Sequence, residues 1–204
     1  MAAGPRNRRR AALGLALLGG LLLAAGVPRW DQRITDADRN RLRTVHNAWV
    51  EALARVRPAN AAALDAEGAL FDSDRAFEDG ALPPAGAYRC RVFKLGANGT
   101  AMAEFTAYPA ARCAVTGQGD ARSFAKLDGE QRPAGTLYAR EPARGVFLGA
   151  LELGMEQRPM DYGTDAKRDL AGFVERVGER RWRVVLPYPR FESILDVIEL
   201  VPEG

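Results

Sequence analysis

The chain has 204 residues, 47% of them hydrophobic, and a formal charge of +3. Residues 1–26 hold four Arg (Arg6, Arg8, Arg9 and Arg10) and no acid, so the remainder of 178 residues stands at −1. That balance excludes the basic stripe a nucleic-acid binder needs, while the remaining length suffices for one domain with a substantial core.

The N-terminus has the parts of a secretory signal. The four Arg form a positive start, Ala11 to Ala25 is an uncharged apolar run, and Ala24 and Gly26 are small residues placed for cleavage before Val27. The run is shorter than the roughly 20 residues a spanning helix needs, and Gly14, Gly19 and Gly20 weaken it as a helix. Residues 1–26 are therefore expected to be a signal peptide. Residues 27–204 are expected to be a single periplasmic or secreted domain that meets the membrane only through that segment before cleavage.

Beyond a short polar stretch lies a helical segment, 34–68. Thr35 can cap a helix with Asp36 and Asp38 in its first turn. Leu42, Val45, Trp49, Leu53 and Val56 then recur at three- and four-residue steps, as one face of an amphipathic helix does. Pro58 is expected to stop it, and a shorter helix from Ala61 to Glu67 is expected after an Asn60 cap, ended by Gly68. Residues 69–86 read as irregular chain.

A β-rich part, 87–202, follows. Short apolar or alternating runs fall at 87–95, 102–108, 111–116, 122–127, 134–139, 145–153, 170–177, 181–187 and 193–201, most of them separated by turn residues such as Asp128-Gly129. The gaps are too short for helical crossovers. The fold class is thus α+β: an antiparallel β-barrel or curved sheet of about eight or nine short strands with the N-terminal helix packed on it. In the last run, Ser193 to Val201, both alternating faces are largely apolar, so one should line the β core and the other receive the Trp49 stripe.

Cys90 and Cys113 are the only cysteines, and an even pair in an exported chain favours a disulfide over two buried thiols. With them paired and His46 the single histidine, no metal site or cofactor is expected, and Asp72 and Asp74 lack the rest of a calcium loop. There is no Gly-x-Ser-x-Gly elbow and no phosphate loop. The best candidate site is cationic and aromatic: Tyr88, Arg89, Arg91 and Lys94 on the first strand, Lys126 and Arg132 about the Asp128-Gly129 turn, and Tyr188, Arg190 and Glu192 in the last hairpin. Of these, Arg89, Lys126, Arg132, Tyr188 and Glu192 are the residues expected to carry it. Gathered at one barrel end, these would suit an anionic or carbohydrate-like ligand. The expected role is a non-enzymatic domain binding a small molecule, a glycan or a protein partner. The alternative is a carboxylate-dependent hydrolase using Glu192 or Asp196.

Several segments carry a family resemblance. They are Tyr88-Arg89-Cys90-Arg91 with Lys94-Leu95-Gly96, Phe124-Ala125-Lys126-Leu127 with Gln131-Arg132-Pro133, Arg181-Trp182-Arg183, Leu186-Pro187-Tyr188-Pro189, and Phe191-Glu192-Ser193 before Leu195 to Leu200. Together with Thr35 to Arg43, the chain resembles an uncharacterised family of exported alphaproteobacterial proteins, a domain of unknown function. The resemblance implies an exported protein and transfers no activity.

Overall fold

The computed structural model describes Met1 and residues 29–99 and 102–204. Residues 2–26 of the expected signal peptide lie outside the described residues. Three helices come first: α1 (Trp30–Arg33), α2 (Asp36–Arg43) and α3 (Val45–Ala66), followed by a 3₁₀ turn over Gly68–Phe71. Nine strands follow: β1 (Gly86–Ala97), β2 (Phe105–Ala107), β3 (Ala111–Thr116), β4 (Ala121–Lys126), β5 (Gln131–Glu141), β6 (Arg144–Leu153), β7 (Asp169–Gly178), β8 (Arg181–Pro187) and β9 (Ser193–Pro202). Every pairing is antiparallel, and β1 pairs with β9 as well as β3, so eight strands close into a barrel. The ninth, β2, is a short addition beside the far half of β1.

The barrel is filled. Tyr88, Phe124, Leu137, Phe147, Val174, Trp182, Val184, Leu186 and Ile198 point inward and pack on one another. Gly135 and Gly149 face each other across β5 and β6. A Cβ on either would sit about 2.2–2.3 Å from the opposing backbone oxygen, so only glycine permits the tight bend there. One end is capped by the chain before β1: the Trp182 indole donates to the Gly80 carbonyl at 2.8 Å, the Tyr88 hydroxyl to Pro84 at 2.6 Å, and Arg122 to Pro83 at 2.7 Å. Cys90 and Cys113 both face the interior from β1 and β3 and are bonded, as their even count led us to expect.

The helices cover the outside. Trp49, Ala52, Val56 and Leu64 of α3 pack on Phe93, Leu95, Val185, Leu195 and Val197, while Leu42 of α2 packs on Val146, Leu148 and Phe173. β9 is buried on both faces, as its sequence indicates.

Two helical boundaries differ from expectation. The helix expected from Thr35 to Pro58 is broken at Thr44, whose φ of −100° and ψ of 11° separate α2 from α3. The Thr44 hydroxyl bonds back to the Asn40 and Arg41 carbonyls, the local competition by which threonine disturbs helices. Pro58, in turn, does not stop the helix. The interruption falls at Asn60, where the second helix was expected to start; its φ is −132°, and its side chain returns a hydrogen bond to the Val56 carbonyl. Proline removes one donor and crowds the preceding turn, but burial of Val56 before the kink and Leu64 after it holds both halves on the barrel.

One buried cation joins the helical side to the sheet. Arg183 of β8 has no exposed surface; it pairs with Glu175 at 2.7 Å and donates to the carbonyls of Ala69, Leu70, Asp72 and Arg75. Its guanidinium also lies 5.2 Å from the centre of the Trp49 ring. Nearby, Glu199 holds both Arg91 and Arg181 at 2.6 Å, and both arginines also hold Glu67.

Removing Arg183 leaves Glu175 with Arg144 as its remaining cation and takes a donor from each of four carbonyls. Arg183→Met should therefore cost about 3–5 kcal/mol, the usual loss when one partner of a buried pair is deleted. Trp49→Ala should cost about 3–5 kcal/mol by emptying a buried aromatic site. Because the two side chains touch, the double variant should lose less than the sum. Urea midpoints for the four proteins check this, and a midpoint unchanged in either single variant would show that the helix does not depend on this contact.

The Cys90–Cys113 bond closes a loop of sequence separation 23. Its reduction should lower stability by about 3 kcal/mol in the chain-entropy account. Alkylation of the native protein without reductant should label no thiol by mass spectrometry, and two labelled cysteines would contradict the assignment.

Candidate functional site

The uncapped end of the barrel is notched, for a reason visible in strand length. β3 pairs with β1 only as far as Cys90, while β1 runs on from Arg91 to Ala97. β4 ends at Lys126, while β5 projects back to Gln131 beyond its last pairing with β4 at Ala134. The wall is therefore low across β3 and β4. A groove of about 510 Å³ crosses it, lined by Val92, Lys94, Tyr108, Pro109, Lys126 and Gln131 among others. That volume is in the range of small-ligand sites.

At the inner end of the groove is Lys94, only 5% exposed. It stands in register with Asp196 across β1 and β9, and its Nζ lies 3.1 Å from that carboxylate and 3.3 Å from Glu192. Asp196 also accepts from the Ser193 hydroxyl. Gln131 Nε2 donates to both oxygens of Glu192, at 3.3 and 3.4 Å. Burial works against the Lys94 ammonium, but Asp196 and Glu192 outweigh it and hold its pKa above the ordinary lysine value. Burial pushes the Asp196 carboxyl up, against the pull of Lys94 and Ser193. Above the pair is a small cavity of about 30 Å³, bounded by Pro189, Arg190, Phe191 and Lys167 on the solvent side. It has room for about one water.

Tyr188 and Glu192, the ends of the β8–β9 connection, both have left-handed backbones, with φ of 46° and 68°. For residues with a side chain this costs roughly 1–2 kcal/mol each, and such strain concentrates at functional sites.

The five sequence candidates separate. Lys126 lines the groove and donates to the Asp128 carbonyl; burial, together with neighbouring Arg132, lowers its pKa. Glu192 reaches Lys94. The other three do not join them. Arg132 turns to the outer face, where it holds Glu152 at 2.8 Å and the carbonyls of Gly129, Gly154 and Glu156. Tyr188 packs on the α3 side, its hydroxyl 3.3 Å from Glu51. Arg89 is exposed on β1 nearer the capped end, opposite Arg112 and Val201. Strand alternation explains the split, since neighbouring residues of one strand face opposite sides. The same rule singles out Lys94 from the first-strand group, ahead of Arg89: it shares parity with Cys90, which the disulfide turns inward. His46 is exposed on α3, away from the groove. Among the described residues no group of three or more His, Cys, Asp or Glu is placed to hold a metal.

The sequence matches the family described as Domain of unknown function (DUF4893) over residues 30–200, and the chain belongs to that family. No curated protein and no solved structure matches the chain.

Lys94→Met should leave two carboxylates without their ammonium and cost about 3–5 kcal/mol near neutral pH. The Asp196 pKa is raised on folding, so protonation of this acid favours the folded state. The deficit of the variant should therefore shrink as pH falls towards the ordinary carboxylate range. In the unmutated protein the raised Lys94 pKa works the other way: its contribution is full below the ordinary lysine pKa and is lost as pH rises through the raised value. Urea midpoints as a function of pH check both limbs; a deficit that widens in acid would refute the pairing.

Proposed function

We propose that this member of the DUF4893 family is an exported, non-enzymatic domain that binds a small organic anion in the groove at the notched barrel end. The observation that carries the reading is the groove itself. It leads across the low wall to a buried ammonium, while the barrel interior is too full to take a ligand. Charge around the groove supports an anion. Among the described residues Lys126, Lys167 and Arg190 form no ion pair, although all three border the groove or the cavity behind it. Tyr108, Val92 and Pro109 offer an apolar wall for the body of the ligand.

Export is supported by the arginine-led apolar N-terminus and by the Cys90–Cys113 bond, which suits an oxidising compartment. The hydrolase alternative would use Asp196 and Glu192, but both hold the same ammonium. That supports reading them as the frame of a binding site.

Calorimetric titration of the full chain with short carboxylates, sugar acids and phosphate esters, each beside an uncharged counterpart, tests the proposal. Anions should bind and their neutral counterparts should not. Lys126→Ser with Arg190→Ser should weaken binding by at least about tenfold, a modest loss of about 1.4 kcal/mol, with the melting temperature preserved. Equal binding of neutral and charged compounds, or none of either, would overturn it. Turnover of any ester or glycoside in the same panel would return the assignment to the hydrolase.

A further inference from the structure

The connection between β8 and β9 is five residues long, Tyr188-Pro189-Arg190-Phe191-Glu192, and it lies over the inner end of the groove. Its ends are the two left-handed residues, so the chain turns sharply at both. The turn at Glu192 aims that carboxylate back towards the barrel. One oxygen meets Lys94 Nζ at 3.3 Å, and both face Gln131 Nε2.

The Glu192 carboxylate is a surplus ligand. Asp196 already neutralises Lys94 from the adjoining strand, in register and at the shorter distance. Glu192 brings a second negative charge to one ammonium, with 29% of its side chain still exposed. The segment that carries it is anchored at Pro189, which is buried, and at the Phe191 carbonyl, which accepts from the Ser193 amide at 2.8 Å. Arg190 is exposed and Phe191 is 38% exposed. The inward face lies over a cavity with room for about one water, beside the buried Pro189. The ends are held by backbone bonds, from Tyr188 to the Ile194 carbonyl and from Asn98 to the Glu192 carbonyl.

We infer that Glu192 occupies the place of a ligand carboxylate. An organic carboxylate docks between Lys94 Nζ and Gln131 Nε2 by displacing Glu192, residues 190–192 lift as a lid beyond the buried Pro189, and the body of the ligand lies along Val92, Tyr108 and Pro109. This rests on the anion-binding reading of the groove and specifies its ligand class. The geometry favours a carboxylate over a phosphate. The present occupant is a planar, singly charged pair of oxygens shared between one ammonium and one amide, and a phosphate dianion would bring more negative charge beside the buried Asp196. Exchange of one carboxylate for another leaves the charge of the site unchanged and returns Glu192 to water.

Benzoate is a suitable probe, with benzyl alcohol as its neutral counterpart and inorganic phosphate as the competing anion, titrated against the full chain and its Glu192→Ala variant. If the occupied form dominates and the open form is a minor one, removal of the internal competitor should tighten benzoate by at least about tenfold. Benzyl alcohol should not gain, and phosphate should gain less. In the unmutated protein, benzoate should also speed hydrogen exchange at the Asn98 amide, which donates to the Glu192 carbonyl. Should Glu192→Ala fail to fold, Glu192→Gln removes the charge at constant size and serves the same comparison. Unchanged benzoate affinity in the folded variant, or an equal gain for phosphate, would overturn the inference and leave the anion site standing. Failure of every anion to bind either protein would overturn both.

Discussion

Arg183 is the contact on which the arrangement of helix and barrel depends. A short helical turn ends with carbonyls that have no partner within it, and here the turn at Gly68–Phe71 ends against a sheet, away from water. The guanidinium supplies several donors in one plane and takes the carbonyls of Ala69, Leu70, Asp72 and Arg75 while Glu175 balances its charge. Burial pulls its pKa down, and the Glu175 carboxylate opposes that fall. A lysine could not reach so many acceptors with fixed geometry. Trp49 lies on the open face of the guanidinium, so helix α3, the 3₁₀ turn and strand β8 meet at a single side chain.

From that junction the asymmetry of the barrel follows. The chain between the 3₁₀ turn and β1 runs to one end and caps it through Gly80, Pro83 and Pro84. The opposite end has no such cover over β3 and β4, because those strands are six residues each against eleven and ten for β5 and β6. The filled interior fixes the depth of what can enter. Phe124 and Phe147 pack edge to face with centres 5.7 Å apart, so a ligand must remain in the groove. On the proposed reading, recognition belongs at the rim and the end of β1, where rigid strands position loop residues.

Much of the architecture was legible because it rests on local periodicity. All nine strand runs, the Thr35 cap, the Trp49 stripe and the doubly buried β9 could be read from residue alternation and spacing. The break at Thr44 could not, because it reflects competition between backbone and side-chain hydrogen bonds that tertiary burial decides. The interruption at Asn60 was legible as the start of a second helix, though Pro58 was expected to end the first. The site was half legible for a related reason. Lys126 and Glu192 stand out as polar residues beside turns, and they do reach the groove. Arg132 and Tyr188 stand beside the same turns, yet one clamps the 154–156 backbone and the other packs towards α3. The partner of Lys94 is 102 residues away, and only the pairing of the first strand with the last reveals it.

That pairing gives the charged residues two tasks. The seam between β1 and β9 carries Arg91 opposite Glu199 on the outer face and Lys94 opposite Asp196 on the inner one. A slip of one residue would exchange the faces of every side chain in the strand. A slip of two would keep the faces but set Lys94 against Ile194 or Ile198, leaving an ammonium and a carboxylate buried apart, at a cost far above that of any lost apolar contact. The ion pair therefore penalises each neighbouring register by which the barrel could close. It can do so only by lying near the open end, where Lys94 keeps some access to water and part of its coordination is left for Glu192. The residue that fixes the closure of the sheet is for the same reason the residue the proposed ligand would reach.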